Sequence, residues 1–199
     1  MLPPLYGIGG TAIGGYEILP PVNPPYLPLA KDPNGYTLVL DLDETLVHYY
    51  EQGGEGKFRI RPGCAQFLKE MSEIYEVVIF TAAMQDYADW VLNNIDKNKY
   101  ISYRLYRQHA SPTNMVFIKD LSRIGRPLNK TIIVDNVAEN FSQQPDNGIF
   151  IKSWFDDMSD TALTELAPLL KRKNLFLICI EIVEKKVKDV REALRKFRD

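Results

Sequence analysis

Cysteine is nearly absent: Cys64 and Cys179 are the only two in 199 residues. Two thiols cannot build a disulfide framework or a structural zinc site, which points to a reducing compartment. Neither charge is in surplus, with 24 Lys and Arg against 26 Asp and Glu and a net charge of −2. No basic excess therefore exists to bind nucleic acid or an anionic membrane without regard to sequence. Long apolar runs are missing too, and none approaches the roughly 20 residues of a membrane-spanning helix. Met1 is not followed by a signal-peptide pattern, so an intracellular protein is expected. What remains is an ordinary globular mixture, 45% hydrophobic and 25% charged. That excludes a wholly disordered chain and leaves material for one sizeable core.

Composition changes abruptly near residue 35. Residues 1–35 hold eight of the 13 prolines and six of the 12 glycines and show no periodicity. They read as an extended or disordered N-terminal arm. Gly7-Ile8-Gly9-Gly10 has no strand before it and no helix after it, so it is flexible chain rather than a nucleotide loop. From residue 36 to 199 the texture is that of one α/β domain. Tyr36–Leu42 and Val77–Phe80 are short apolar runs typical of strands buried on both faces. Ile101–Tyr106, Met115–Ile118, Thr131–Val134 and Gly148–Ile151 are further strand candidates. Helices are expected over Cys64–Tyr75, over the Tyr87–Ile95 stripe, and after a cap at Ser159 or Asp160. Alternating strands and helices predict a three-layer sandwich around a mainly parallel sheet. A last stripe, Cys179, Val183, Val187, Val190, Leu194 and Phe197, has helical spacing and reads as a C-terminal amphipathic helix docking on the core; a partner-binding helix fits the same stripe.

Chemistry concentrates where strands end. In open parallel sheets ligands bind outside the carboxyl ends of the strands. Asp41-Leu42-Asp43-Glu44-Thr45 closes the first strand. Carboxylates there are costly unless something binds them, and a hard cation such as Mg²⁺ does so. An isolated DxDxT is short and common, and the strand context is what makes it a site. Thr81 follows the second strand and offers a hydroxyl and backbone N–H groups to an oxyanion. Lys119 follows Met115–Ile118, and Asp135-Asn136 follows Thr131–Val134. Carboxylates, a hydroxyl, an ammonium and a carboxamide at four strand ends compose an anion site with a metal, a phosphate-handling centre.

DLDETLVH, FTAAMQDYADWV, KDLSRIGRPL, IIVDN and SWFDDMSDTAL, in that order, resemble the catalytic domain of the small CTD phosphatases. These form the FCP/SCP group, also called NLI-interacting-factor-like, of the haloacid dehalogenase superfamily. The resemblance covers roughly residues 36–198. It implies a haloacid dehalogenase-like fold without a large cap and an Mg²⁺-dependent protein serine/threonine phosphatase. Asp41 matches the nucleophile that becomes an aspartyl-phosphate. Asp43 matches the general acid and base, binding the metal through its backbone carbonyl. Asp41, Asp43 and Asn136 match the Mg²⁺ ligands, with Asp135 acting indirectly through water or Lys119. Thr81 and Lys119 match groups that hold the phosphoryl oxygens, and Tyr87 and Arg107 match positions that touch the phosphopeptide. His48 and His109 are left with structural roles. The implied partner is a phosphoserine or phosphothreonine protein, the RNA polymerase II C-terminal tail among them, with a nuclear or cytoplasmic location and the nucleus favoured. A monomer is expected.

One departure from the family pattern stands out. Only twelve residues, Tyr49 to Ile60, separate His48 from Arg61, where the family carries a longer hairpin that helps form an apolar pocket for a proline of the polymerase tail. The shortening leaves the phosphatase chemistry intact and puts the tail-specific substrate in question. A non-catalytic scaffold or receptor of the same fold, as in a mitochondrial import translocase subunit, is the main alternative, and a small-molecule phosphatase of the wider superfamily is another. Members of the scaffold kind lack one or both catalytic aspartates, whereas Asp41, Asp43, Lys119 and Asn136 are all present here. The two sequons at Asn129 and Asn140 carry no meaning in an intracellular protein.

Overall fold

A computed structural model describes residues 22–113 and 116–171, with the short stretches 12–13, 16–17 and 190–191. In chain order the strands are β1 (Ala12–Ile13), β2 (Tyr16–Glu17), β3 (Tyr36–Leu40), β4 (Val47–Gln52), β5 (Glu55–Ile60), β6 (Tyr75–Phe80), β7 (Tyr103–Leu105), β8 (Ser111–Pro112), β9 (Phe117–Ile118), β10 (Thr131–Asp135) and β11 (Gly148–Phe150). The helices are α1 (Cys64–Ser72), α2 (Gln85–Ile95) and α3 (Ala162–Lys171).

The central sheet has five strands in the order β11-β10-β3-β6-β7, and every pairing in it is parallel. Leu38, Val39 and Leu40 have no exposed surface, which explains why β3 reads as an unbroken apolar run. Alternation along the strands then sorts the core into two layers. Leu38, Leu40, Val77, Ile79, Ile132 and Val134 face the three helices. Val39, Val78, Phe80 and Ile133 face the other way, onto Leu27, Leu121, Ile124 and Phe141. Among the described residues that second layer is built of 3₁₀ turns and loops, with no α-helix. Part of the proline-rich stretch belongs to it: Tyr26 N–H and Leu27 N–H donate to the carbonyls of Arg123 and Ile124 at 3.0 and 3.1 Å.

Sheet order reverses beside β3, since β6 and β7 extend one way and β10 and β11 the other. In such sheets ligands bind at the carboxyl ends of the strands flanking the reversal, here β3 and β10. No large cap covers these ends among the described residues. The twelve-residue segment is a tight antiparallel hairpin, β4 with β5, turning at Gly53-Gly54.

Two expectations need correction. The helix ends at Ser72 rather than Tyr75, because Tyr75 opens β6 and pairs with Tyr36. The expected strand Met115–Ile118 is not part of the sheet: Phe117 and Ile118 pair antiparallel with Pro112 and Ser111 in a separate ribbon, and Met115 lies outside the described residues. Gly7–Gly10 and most of the C-terminal stripe also lie outside them, though Val190 is fully buried in the helical layer.

Candidate active site

Asp41 leaves β3 while still in its ladder, its N–H donating to the Val134 carbonyl at 3.0 Å. The side chain is buried and both its oxygens are engaged. The Lys119 ammonium donates to Oδ1, and the Thr45 hydroxyl lies 2.9 Å from Oδ2. Lys119 has no exposed surface and also donates to Asp135 Oδ2 at 2.6 Å. Asp135, at the end of β10, accepts further bonds from Val137 N–H at 2.8 Å and from Asn140 Nδ2 at 3.1 Å. One ammonium therefore sits between two buried carboxylates.

Burial opposes the charge on Lys119, but Asp135 and Asp41 hold its pKa above the ordinary value. Burial pushes Asp41 up to about 7 against the pull of Lys119. Two carboxylates facing one cation leave this pocket with an unbalanced negative charge, a condition that suits a bound cation.

The chain after Asp41 folds back at once. Glu44 takes a left-handed backbone, φ 55°, and its N–H donates to the Val47 carbonyl at 2.7 Å. Leu42 goes into the core, and Asp43 emerges beside α2, where Tyr87 OH donates to its Oδ1 at 2.6 Å. Burial raises the Asp43 carboxyl to about 6, with the Tyr87 hydrogen bond acting against the rise. Burial likewise raises the Tyr87 phenol, so it remains a donor. Asn136 follows β10 and is held by both ends of its amide: Nδ2 donates to Ser153 Oγ at 3.0 Å, and Oδ1 lies 3.3 Å from the Thr45 hydroxyl. Thr45 thus gathers one oxygen of Asp41 and one of Asn136 around a single hydroxyl.

Other expected residues occupy more particular positions. Thr81 directly follows β6, the strand next to β3, and its hydroxyl accepts from Ala83 N–H at 3.0 Å. Its own N–H is committed to the Leu105 carbonyl, so of the donors expected there only the hydroxyl belongs to Thr81's free end. The cap of α2 is Met84. Arg107 is buried rather than a surface arginine, with Nε donating to the Ala82 carbonyl at 2.6 Å and its guanidinium 5.2 Å from the Phe117 ring centre. His48 contacts Glu44 and Phe155, while His109 contacts Tyr106 and Tyr26. Lys119 reaches the site from the ribbon rather than from a sheet strand, anchored by its N–H to the Asn140 carbonyl at 2.7 Å.

Arg61, outside every quoted motif, and Ser153, which opens SWFDDMSDTAL without an assigned role, are organising residues. Arg61 is buried. Its Nε and Nη2 grip Asp160 Oδ1 and Oδ2 at 2.8 and 2.9 Å, Nη1 donates to the Thr45 carbonyl at 3.1 Å, and Nη2 also reaches the Lys152 carbonyl at 3.0 Å. One guanidinium thereby ties the Thr45 turn to the segment bearing Ser153. Asp160 also caps α3 through Ala162 N–H. A lone arginine after β5 carries no sequence signal of this role: Arg59 and Ile60 before it and Gly63 after it are exposed, and Arg61 alone turns inward.

Among the described residues no three His, Cys, Asp or Glu side chains gather as metal ligands. The available donors are oxygens, from Asp41, the Asn136 amide and the Asp43 backbone. That set suits a hard cation that keeps several of its waters.

A family model described as NLI interacting factor-like phosphatase matches residues 36–177. The chain is 42% identical over 151 residues to CTD small phosphatase-like protein 2 of Dictyostelium discoideum, covering 68% of this chain and 27% of that protein. It is 36% identical over 157 residues to the human carboxy-terminal domain RNA polymerase II polypeptide A small phosphatase 2, covering 71% of this chain and 58% of the relative. A solved structure of Fcp1, an essential RNA polymerase II CTD phosphatase, matches the fold with a TM-score of 0.53 at 19% identity, over 70% of this chain and 50% of that one. This chain thus spans about a quarter of the first of these relatives and less than three-fifths of the second.

Proposed function

Because the chain belongs to the NLI interacting factor-like phosphatase family, we propose that it removes phosphate from phosphoserine or phosphothreonine in proteins, with Asp41 as nucleophile. The observation that carries this reading is the buried Asp41–Lys119–Asp135 cluster at the sheet's reversal, with Asp43 two residues on. An Asp41 oxygen attacks phosphorus while the bond to the seryl oxygen breaks, and Asp43 delivers its proton to that leaving oxygen. The aspartyl-phosphate is then cleaved by a water whose proton Asp43 takes, releasing phosphate and restoring the Asp41 carboxylate. Lys119 and the Thr81 hydroxyl hold the phosphoryl oxygens as charge shifts among them. Thr45 and Ser153 fix the orientations of Asp41 and Asn136, so the oxygens need not reorganise during the reaction.

The donor set fits Mg²⁺, which Asp41, Asn136 and the Asp43 carbonyl would hold. When bound it supplies positive charge against the phosphoryl oxygens. Several relatives are named for the RNA polymerase II C-terminal domain, which makes that tail, and residence in the nucleus, the first substrate and location to examine. Among the described residues no helix is long and apolar enough to cross a membrane.

Hydrolysis of p-nitrophenyl phosphate with Mg²⁺, with EDTA, and with Asp41→Asn tests the reading. Turnover should need Mg²⁺ and fall to background in the variant. Folded wild-type protein that turns over neither this substrate nor any phosphopeptide in a panel, across a range of pH, would overturn it in favour of a binding scaffold.

A further inference from the structure

The hairpin beside Asp43 keeps its two cations, together with Glu55, on one face and Glu51 on the other. Strand alternation puts Tyr49 and Glu51 of β4, with their partners Phe58 and Gly56 of β5, on one side. His48 and Tyr50, with Arg59 and Lys57, take the other. The cations on that far side are occupied there. Arg59 lies 5.0 Å from the Tyr50 ring centre and bonds Asp156 at 3.2 Å, and Lys57 donates to Gln52 at 3.1 Å.

The near side packs against α2. Tyr49 meets Tyr87 edge-on with ring centres 5.4 Å apart, Phe58 backs Trp90 at 5.0 Å, and Tyr87 and Trp90 are 6.2 Å apart. Tyr49, Glu51, Gly54, Gly56, Tyr87 and Trp90 line an open cup of about 410 Å³. Gly56 makes it possible, since a Cβ there would stand 2.7 Å from the Tyr49 hydroxyl. Trp90 is 42% exposed, so a broad aromatic surface is presented to solvent. Glu51 is the one charged residue of the lining, and no cation accompanies it.

Aromatic faces with a carboxylate among them attract a cation twice, through the ring quadrupoles and through the charge. A proline or aliphatic side chain seated there would cover Glu51 and strip it of water, leaving only the long 3.5 Å bond that the Tyr49 hydroxyl donates to it. Tyr87 joins the cup to the chemistry, since its ring is a wall and its hydroxyl holds Asp43.

We propose that this cup is a specificity site for a basic side chain of the substrate, so that the enzyme prefers phosphoserine or phosphothreonine segments carrying arginine or lysine close to the phosphate. The inference rests on the phosphatase reading above and names the substrate class of that site. An extended segment advances about 3.4 Å per residue, which puts the cation within about three residues of the phosphorylated one.

The test is a set of phosphoserine peptides on an alanine background, with one arginine, proline or glutamate moved through the three positions on either side. Wild-type kcat/KM should be about three- to tenfold higher for arginine than for alanine at one or two positions, the size of an exposed cation–π contact aided by a carboxylate. Glutamate there should fall below alanine. Trp90→Ala and Glu51→Gln should bring the arginine-to-alanine ratio close to one, and Glu51→Lys should favour glutamate. Each ratio is taken within one protein, so loss of folded enzyme cancels. An arginine ratio near one in the wild type, a preference for proline over arginine, or a ratio that survives both variants would overturn the proposal. The same peptides are also followed by fluorescence anisotropy, where the arginine peptide should bind more tightly. Binding preference without turnover of any substrate would defeat the phosphatase reading and leave the cup standing; turnover of p-nitrophenyl phosphate with no arginine preference would do the reverse.

Discussion

Replacing Arg61 with methionine keeps an apolar stem of similar reach and removes every donor. The side chain is fully buried, and the Asp160 side chain it grips keeps 14% exposure. Losing the two charge-assisted bonds to Asp160 costs about 1.5–3 kcal/mol, part of it recovered as water reaches that carboxylate. The Thr45 carbonyl is buried, and leaving it without a donor costs roughly 1–3 kcal/mol more. The total of about 3–5 kcal/mol agrees with what breaking a buried ion pair costs in general, and it lowers the melting temperature by on the order of 10 °C in a chain of this size. Urea unfolding at neutral pH measures it as a fall in midpoint at constant slope. Arg61→Met with Asp160→Leu should recover the share belonging to the ion pair and leave the share belonging to Thr45. The pair also has a pH signature. Hydrogen bonds from Arg61 hold the Asp160 carboxyl below its ordinary value of 3.8. Its contribution is therefore complete above that value and disappears as pH falls through the depressed one, so wild type and Asp160→Asn should begin to draw together only as pH falls below 3.8 and meet below the depressed value. A loss under 1 kcal/mol in Arg61→Met at neutral pH would refute the reasoning.

Lys119→Met leaves Asp41 and Asp135 facing each other without a cation; p-nitrophenyl phosphate turnover should fall by about 10²–10³-fold, and a loss under tenfold would show that Lys119 is not the phosphoryl-holding group. Gly148→Ala puts a Cβ 2.1 Å from the Phe141 ring, so urea unfolding should register a loss of about 1–3 kcal/mol, and an unchanged midpoint would count against that packing. Leu27→Ala empties a position that is 5% exposed in the second core layer and should cost about 2–4 kcal/mol; a loss under 0.5 kcal/mol would mean that the proline-rich stretch is not docked there.

The strands β3, β6 and β10 were legible because burial on both faces writes itself as an uninterrupted apolar run. Asp41, Asp43 and Asn136 were legible as candidates because each stands within three residues of the last apolar residue of such a run. Tyr75 was misplaced because Ile74 and Tyr75 extend the helical spacing of Phe67 and Met71, and only pairing with Tyr36 across the sheet decides for a strand. Met115–Ile118 has the composition of a buried strand, but Phe117 and Ile118 pair with their near neighbours Pro112 and Ser111 instead, and no local pattern records which partner a strand takes. Arg61 and Asp160 stand 99 positions apart, with identities common on any surface. Their importance comes from burial, which a single sequence does not print. Thr45 stood inside the motif that was read, yet its joint hold on Asp41 and Asn136 depends on the way the turn at Glu44 aims it.

Lys119 has a provenance that separates architecture from charge balance. The five parallel strands can pair without it, since it arrives on a small ribbon 78 positions downstream of Asp41. The Asp41 carboxylate and its counter-charge are thus carried by different parts of the molecule, one indispensable to the scaffold and the other an addition to it. A chain of this design can forfeit its chemistry through damage confined to the ribbon while its sheet remains assembled, and inactivity in a variant is no sign by itself that the fold has been lost.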